Sequence, residues 1–237
     1  YPKAEQVKGT ILDSSDILDA PAGKHGFLTH YDGDTFMFED GTEAHFWGVN
    51  VAWGHYMDKN EAIARADRIA QSGFNLVRLH LMDISSLWGP KANGNRVMRE
   101  DQMDKLCFFI SELKARGIYV YIDLMIGKPY TSELDKILDL EYASKVYEYF
   151  DDDLKERYKQ NAEAFLNYRN KYTGKKLKDE SAIVMMELFN ESSLCNSEYS
   201  SEKYVAELTK QYNDWLRAKY GNTEELKAAW TSDQADC

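Results

Sequence analysis

The stretch Ile183-Val-Met-Met-Glu-Leu-Phe-Asn-Glu-Ser192 constrains the fold more than any other part of the chain. Its apolar run is too short and too evenly apolar for a surface helix, and it predicts a buried parallel strand. The run stops at Asn190-Glu191. A carboxylate at the end of a buried strand is costly unless it is paired or has a chemical task. Parallel strands need long crossovers, and the rest of the chain supplies helices for them. Predicted strands at 46–53, 76–83 and 119–125 alternate with predicted helices near 59–72, 100–116, 154–172 and 201–220, and a short helix follows at 224–230. On the first helix Ala62, Ala66, Ile69 and Ala70 share one face. On the second, Met103, Leu106, Ile110 and Leu113 recur at helical spacing. Gly73, Gly117 and Gly221 stand where three of these helices must stop.

Strands alternating with helices give an α/β class. A doubly wound sheet and a (β/α)8 barrel both satisfy the alternation. After the first strand, Trp53-Gly54-His55 stands where a dinucleotide fold carries its glycine-rich turn, which favours the barrel. Residues 1–45 differ in character. Asp32-Gly33 and Asp40-Gly41 are turn signals, and Phe36 and Phe38 alternate with polar or flexible neighbours. They predict an N-terminal extension with a small β-hairpin, followed by a barrel segment over 46–237. Only four βα units are predicted, whereas a whole barrel needs eight in about 250 residues. The expectation is the first half of a (β/α)8 barrel.

The net charge of −11 argues against nucleic acid or an anionic membrane surface as partner. No apolar run approaches the length of a membrane span. Three cysteines, Cys107, Cys195 and Cys237, offer neither a disulfide framework nor zinc spacing, and no metal or organic cofactor is expected.

Four segments in order resemble the first half of a clan A glycoside hydrolase of the family 5 cellulase and mannanase type. They are Phe46-Trp-Gly-Val-Asn50, Gly73-Phe-Asn-Leu-Val-Arg78-Leu-His80, Gly117-Ile-Tyr-Val-Tyr-Ile-Asp123 and Glu187-Leu-Phe-Asn190-Glu191. The resemblance covers about residues 36–230. It implies a retaining two-carboxylate mechanism on a β-linked poly- or oligosaccharide, with secretion because such substrates lie outside the cell. Glu191 is then the general acid/base, Asn190 a partner of the sugar 2-hydroxyl, and Arg78 the cation that keeps the nucleophile ionised. The family's nucleophile sits at the end of strand seven, beyond the four units predicted here, so the isolated chain is expected to be inactive and to pair with the missing barrel half or with another copy. Ser192 stands where many relatives have proline, and Asp123-Leu-Met-Ile-Gly127 where many place a histidine.

His80 shares strand parity with Arg78, and either substrate contact or a satisfied core histidine explains it. Glu187 shares parity with Glu191 and is expected to pair with Arg78. Asn50, Trp53 and Trp88 lie in or after strand ends and are expected, with His80, to face the substrate; Tyr56 is similarly placed, and for each aromatic ring packing of its own loop is the alternative to stacking on sugar. Asp123 reads as an interior hydrogen-bond partner, with Asp83 and Asp123 as fallback second carboxylates. The acidic run Asp151-Asp-Asp153 reads as a helix N-terminus. Two other functions share this pattern: a non-catalytic carbohydrate-binding barrel, and a lyase or aldolase using Glu191 as base. The latter calls for a strand-end lysine, which strands one to four do not offer.

Overall fold

The computed structural model describes residues 3–30, 35–80, 87–90, 96–124, 149, 151–191 and 202–233. Its centre is a four-stranded parallel sheet. To number its strands in chain order, β1 (Leu28–His30), β2 (Phe36–Phe38) and β3 (Glu43–Ala44) form a separate antiparallel sheet near the N-terminus. The hairpin expected there is thus a three-stranded sheet. The parallel sheet contains β4 (Gly48–Ala52), β5 (Leu76–His80), β8 (Tyr119–Asp123) and β9 (Ile183–Glu187), side by side in that order. A small hairpin of β6 (Trp88–Pro90) and β7 (Arg96–Met98) interrupts the second crossover.

Helices follow the strands as the apolar periodicity requires. Helix α1 is a single turn, Ala4–Val7. Helix α2 (Lys59–Gln71) starts where the Asp58 carboxylate accepts from the Glu61 N–H at 2.9 Å, and it buries Ala62, Ala66, Ile69 and Ala70. Helix α3 (Glu100–Ala115) buries Met103, Leu106, Ile110 and Leu113, and also Cys107 and Phe109. Gly117 beyond it has φ +79°, and a Cβ there would come within 3.0 Å of the Ala20 backbone nitrogen. Glycine is needed both for the left-handed stop and for the close pass of the N-terminal segment.

Helix α4 (Asp152–Leu166) starts on Asp151, whose side chain accepts from the Leu154 N–H at 2.9 Å. The acidic run is a helix cap. The helix ends six residues before the expected Tyr172, because Asn170 is fully buried and its amide is already engaged. It donates to the Cys107 carbonyl at 3.0 Å and accepts from the Tyr172 N–H at 2.9 Å, which folds the chain into a turn. Helices α5 (Glu202–Tyr220) and α6 (Thr223–Asp233) follow β9. Among the described residues no helix is long and apolar enough to cross a membrane.

The sheet's two faces differ. Val77, Leu79, Val120 and Ile122 are fully buried and pack with the buried residues of α2 and α3. Leu76, Arg78, His80, Tyr119, Tyr121 and Asp123 alternate with them and occupy the other face. A register shift at Val184 affects β9: Val120 pairs with Ile183, but Tyr121 pairs with Met185 and Asp123 with Glu187. The bulge puts Ile183 with the helices and Glu187 on the opposite face beside Asp123.

Candidate active site

The non-helical face of the sheet is built in two tiers. At the N-terminal ends of the strands, the Phe38 ring stacks on Tyr119 with centroids 5.2 Å apart, and Phe46 meets the same tyrosine edge-on at 5.6 Å. Ala22, Ala44 and Ala182 are buried with them, and Leu76 packs against the cluster. At the C-terminal ends the same face is ionic. Arg78 Nε donates to Asp123 Oδ1 at 2.9 Å, and Arg78 Nη2 lies 2.9 Å from Asp123 Oδ2. Nη2 also donates to Glu187 Oε2 at 2.5 Å and to Asn190 Oδ1 at 2.8 Å. His80 Nδ1 lies 2.6 Å from Asp123 Oδ2. Tyr121 donates its hydroxyl to Glu187 at 3.2 Å, and its ring lies under the Arg78 guanidinium at 5.4 Å.

Charge assistance makes these strong hydrogen bonds, and the low local dielectric makes each partner costly to leave alone. Burial opposes the charge on Arg78, but its bonds to Glu187 and Asp123 outweigh that and raise its pKa. Burial pushes the Asp123 carboxyl up, and the neighbouring Glu187 carboxyl adds to the rise. Burial also opposes ionisation of Glu187. Its hydrogen bonds with Asp123, Arg78 and Tyr121 outweigh burial and hold its pKa down. Of the two adjacent carboxyls, Asp123 therefore keeps a proton to higher pH.

The expected pairing of Glu187 with Arg78 is present, and so is Asp123 as an interior hydrogen-bond partner. One detail of the expected alternation is overturned. Strand β9 ends at Glu187, so parity does not extend to Glu191. It is Asn190, 6% exposed, whose amide oxygen reaches Arg78. Glu191 follows as an exposed residue with φ +49°. Among the described residues one other non-glycine residue has a positive φ, Trp53 at +58°. Both follow closely on C-terminal ends of parallel strands. A left-handed backbone at a bulky or charged residue costs of order 1–3 kcal/mol and is characteristic of functional sites.

The other sequence-based candidates divide. Trp53 is 63% exposed beyond β4, next to Gly54, whose carbonyl accepts from Arg65 at 3.1 Å. Asn50 is exposed and pairs in register with Arg78, so it shares the ionic face. Tyr56 packs against the main core and sets its ring edge-on to His55 at 5.6 Å. Trp88 corrects the expectation of a sugar-facing ring. The β6–β7 hairpin carries it into the core at 7% exposure, beside the fully buried Leu87, whose carbonyl accepts from the Arg99 N–H at 2.8 Å. Asp83 lies outside the described residues. Asp123 is 1% exposed and held by Arg78 and His80, which suits a structural carboxylate better than an attacking one. Sequence reasoning gave Tyr121 no role, although its parity with Asp123 was a usable signal. Cys107 is buried and its thiol is pushed up to about 12 by burial, so it offers no reactive thiolate.

Residues 37–227 match the family model described as cellulase, glycosyl hydrolase family 5. The chain belongs to glycosyl hydrolase family 5. Solved structures of family 5 enzymes share its fold. The endo-1,4-beta-mannanase of Rhizomucor miehei aligns over 83% of this chain and 59% of its own length, with a TM-score of 0.61 and 19% identity. The family 5 mannosidase from the same organism aligns over 71% of this chain and 49% of its own, with a TM-score of 0.56 and 14% identity. Its E202A mutant, in complex with mannosyl-fructose, gives a TM-score of 0.58 at 15% identity over the same shares. No curated protein matches the chain. This chain thus spans from about half to about three fifths of the length of these enzymes. The four parallel strands with their helices are part of a (β/α)8 barrel of the family 5 type. In such a barrel the C-terminal ends of the strands form the mouth that carries the chemistry, and here they hold Arg78, His80, Asp123, Glu187, Asn190 and Glu191.

Proposed function

We propose that the chain supplies the acid/base half of a retaining β-glycoside hydrolase of family 5, acting on a poly- or oligosaccharide. The observation that carries this reading is the 2.8 Å bond from Arg78 to Asn190, which ties the Asn-Glu pair to a buried ionic network at the barrel mouth. Glu191 protonates the leaving oxygen and then activates water. Asn190 holds the sugar 2-hydroxyl, Arg78 braces the mouth against the charge of the nucleophile, and Trp53, Asn50 and His80 line the sugar side. The mannanase and mannosidase neighbours favour a mannose-containing chain as substrate. The nucleophilic carboxylate comes from outside these residues, from the other half of the barrel or a second copy. Residues 1–45 act as an extension that closes the barrel floor. Extracellular action, and hence secretion, follows from the size of the substrate.

The test is Glu191→Gln in the active form. Turnover of unactivated glycosides should fall by about 10²–10⁴-fold, the contribution of a general acid. Substrates with good leaving groups should lose less in the glycosylation step, since they need less protonation. Equal losses on both would make Glu191 structural. A second reading, a non-catalytic carbohydrate-binding barrel, has one observation in its favour. Asp123 and Glu187, the other mouth carboxylates among the described residues, are both bonded to Arg78. Full turnover by the 237-residue chain alone would reject that reading and the need for an outside carboxylate together.

A further inference from the structure

His80 ends β5 and Asp123 ends β8, and the two meet across the strand pair at 2.6 Å. Arg78 fixes the direction of that bond. Its Nε faces Oδ1 and its Nη2 faces Oδ2, so once ionised the Asp123 carboxylate presents acceptor lone pairs on both oxygens. The His80 nitrogen facing it, Nδ1, is the donor. A neutral imidazole carries one N–H, so Nε2 is left with a bare lone pair. The Asp123 side chain is fully buried and that of His80 is 15% exposed, so the bonded end of the ring is the inner one. Among the described residues no group hydrogen-bonds Nε2.

Among the described neighbours of this ring, the carboxylate oxygens Asp123 Oδ1, Asp123 Oδ2 and Glu187 Oε2 are already engaged by Arg78. Arg78 has donors only. Asp123 and Glu187 accept from Arg78, and Glu187 also accepts from Tyr121. A sugar hydroxyl arriving at this side of the mouth has its proton to place, and an unplaced donor in a half-buried site costs binding energy.

We propose that Asp123 is a positioning residue that locks His80 in the Nδ1–H tautomer, so that Nε2 accepts a hydrogen bond from a hydroxyl of the pyranose bound beside Asn190–Glu191. This deepens the glycosidase reading and rests on its placing sugar at the mouth. The ligand class is an unprotected β-linked pyranoside. No proton is transferred through His80, whose part is to hold one sugar hydroxyl in register.

The test is a titration of the full ¹⁵N-labelled chain with mannobiose, and separately with cellobiose, followed by long-range ¹H–¹⁵N spectra of the imidazoles. In the free protein His80 should show a protonated Nδ1 and a bare Nε2, and Asp123→Asn should mix the two tautomers. Mannobiose should move the His80 Nε2 resonance, and His80→Ala should weaken its binding about tenfold, the size of one hydrogen bond. His80→Gln, which keeps an acceptor near the Nε2 position, should recover part of the loss. A free protein with Nε2 protonated overturns the proposal. So does a disaccharide that shifts the Asn190 and Trp53 signals and leaves His80 unmoved, although the glycosidase reading then stands. Failure of both disaccharides to bind the folded chain overturns both. The wild-type spectra decide the matter even where a variant fails to fold.

Discussion

The floor and the mouth of the sheet's non-helical face come from the same strands but are stabilised by different physics. At the floor, Leu76 and Tyr119 pack against Phe38 and Phe46 from the N-terminal segment, and stability comes from apolar area removed from water. Two steps along the same strands, Arg78 and Tyr121 begin a network in which each charge is tolerable only through its partners. The floor is replaceable by anything apolar of similar volume. The mouth is specified atom by atom, and Asn190 is held by the same guanidinium that neutralises Asp123 and Glu187. Among the described residues, the two non-glycine residues with left-handed backbone are also at the mouth, so strain is stored where specificity is needed.

The largest effect that would sharpen this contrast is at Arg78. Arg78→Met leaves the buried Asp123 and the half-buried Glu187 without their cation and should destabilise the fold by about 3 kcal/mol in urea unfolding. Adding Asp123→Leu and Glu187→Leu should restore most of that stability while sugar binding stays lost. If the triple variant is as unstable as the single one, the mouth is a packing element like the floor. A similar loss is expected at the floor itself. Phe38→Ala, at 6% exposure, should cost about 3 kcal/mol and leave the His80 imidazole signals unchanged. A change in those signals would show that floor and mouth are coupled.

Third, Trp53→Gly relieves a left-handed backbone and removes a ring that is 63% exposed. The fold should gain about 1 kcal/mol while mannobiose affinity falls, and an unchanged affinity would remove Trp53 from the sugar surface. The smallest effect concerns the edge of the N-terminal sheet, where His25 bridges Asp19 and Asp40. Hydrogen bonds to Asp19 and then Asp40 raise the His25 pKa above 6.5, and His25 holds Asp40 down to about 2. The histidine's contribution is complete below pH 6.5 and is lost as pH rises through its raised value. The aspartate's is complete above 3.8 and is lost as pH falls toward 2. The Tm difference between wild type and His25→Asn should therefore be greatest between pH 3.8 and 6.5. A difference that grows above that window would contradict the assignment.

Local periodicity and capping carried much of the fold. The buried faces of α2 and α3 follow from Ala62, Ala66, Ile69 and Ala70 and from Met103, Leu106, Ile110 and Leu113, because a helix repeats its own neighbours every three or four residues. The stops at Gly73 and Gly117 follow from the left-handed turn each one makes. The pairing of Arg78 with Glu187 was legible because both lie on strands whose alternation is visible in sequence. The end of α4 was not, because Asn170 breaks the helix by bonding a carbonyl on α3, a contact with no local signal. Trp88 was misread for a related reason. A ring after a strand end looks the same in sequence whether its loop folds inward or outward, and the β6–β7 hairpin decides it.

The sequence by itself determined the alternating elements, the polar Asn190–Glu191 end of an apolar strand, and the basic residue two positions before the end of β5. Only the tertiary structure decided that Asp123 is the hub binding Arg78 and His80, and that Asn190 rather than Glu191 anchors to the network. It also decided that a bulge at Val184 sets Glu187 beside Asp123. Periodicity is a property of one element and can be read along the chain. Register between strands far apart in sequence, and with it the partner of every buried charge, is fixed only when the strands pair and exclude water.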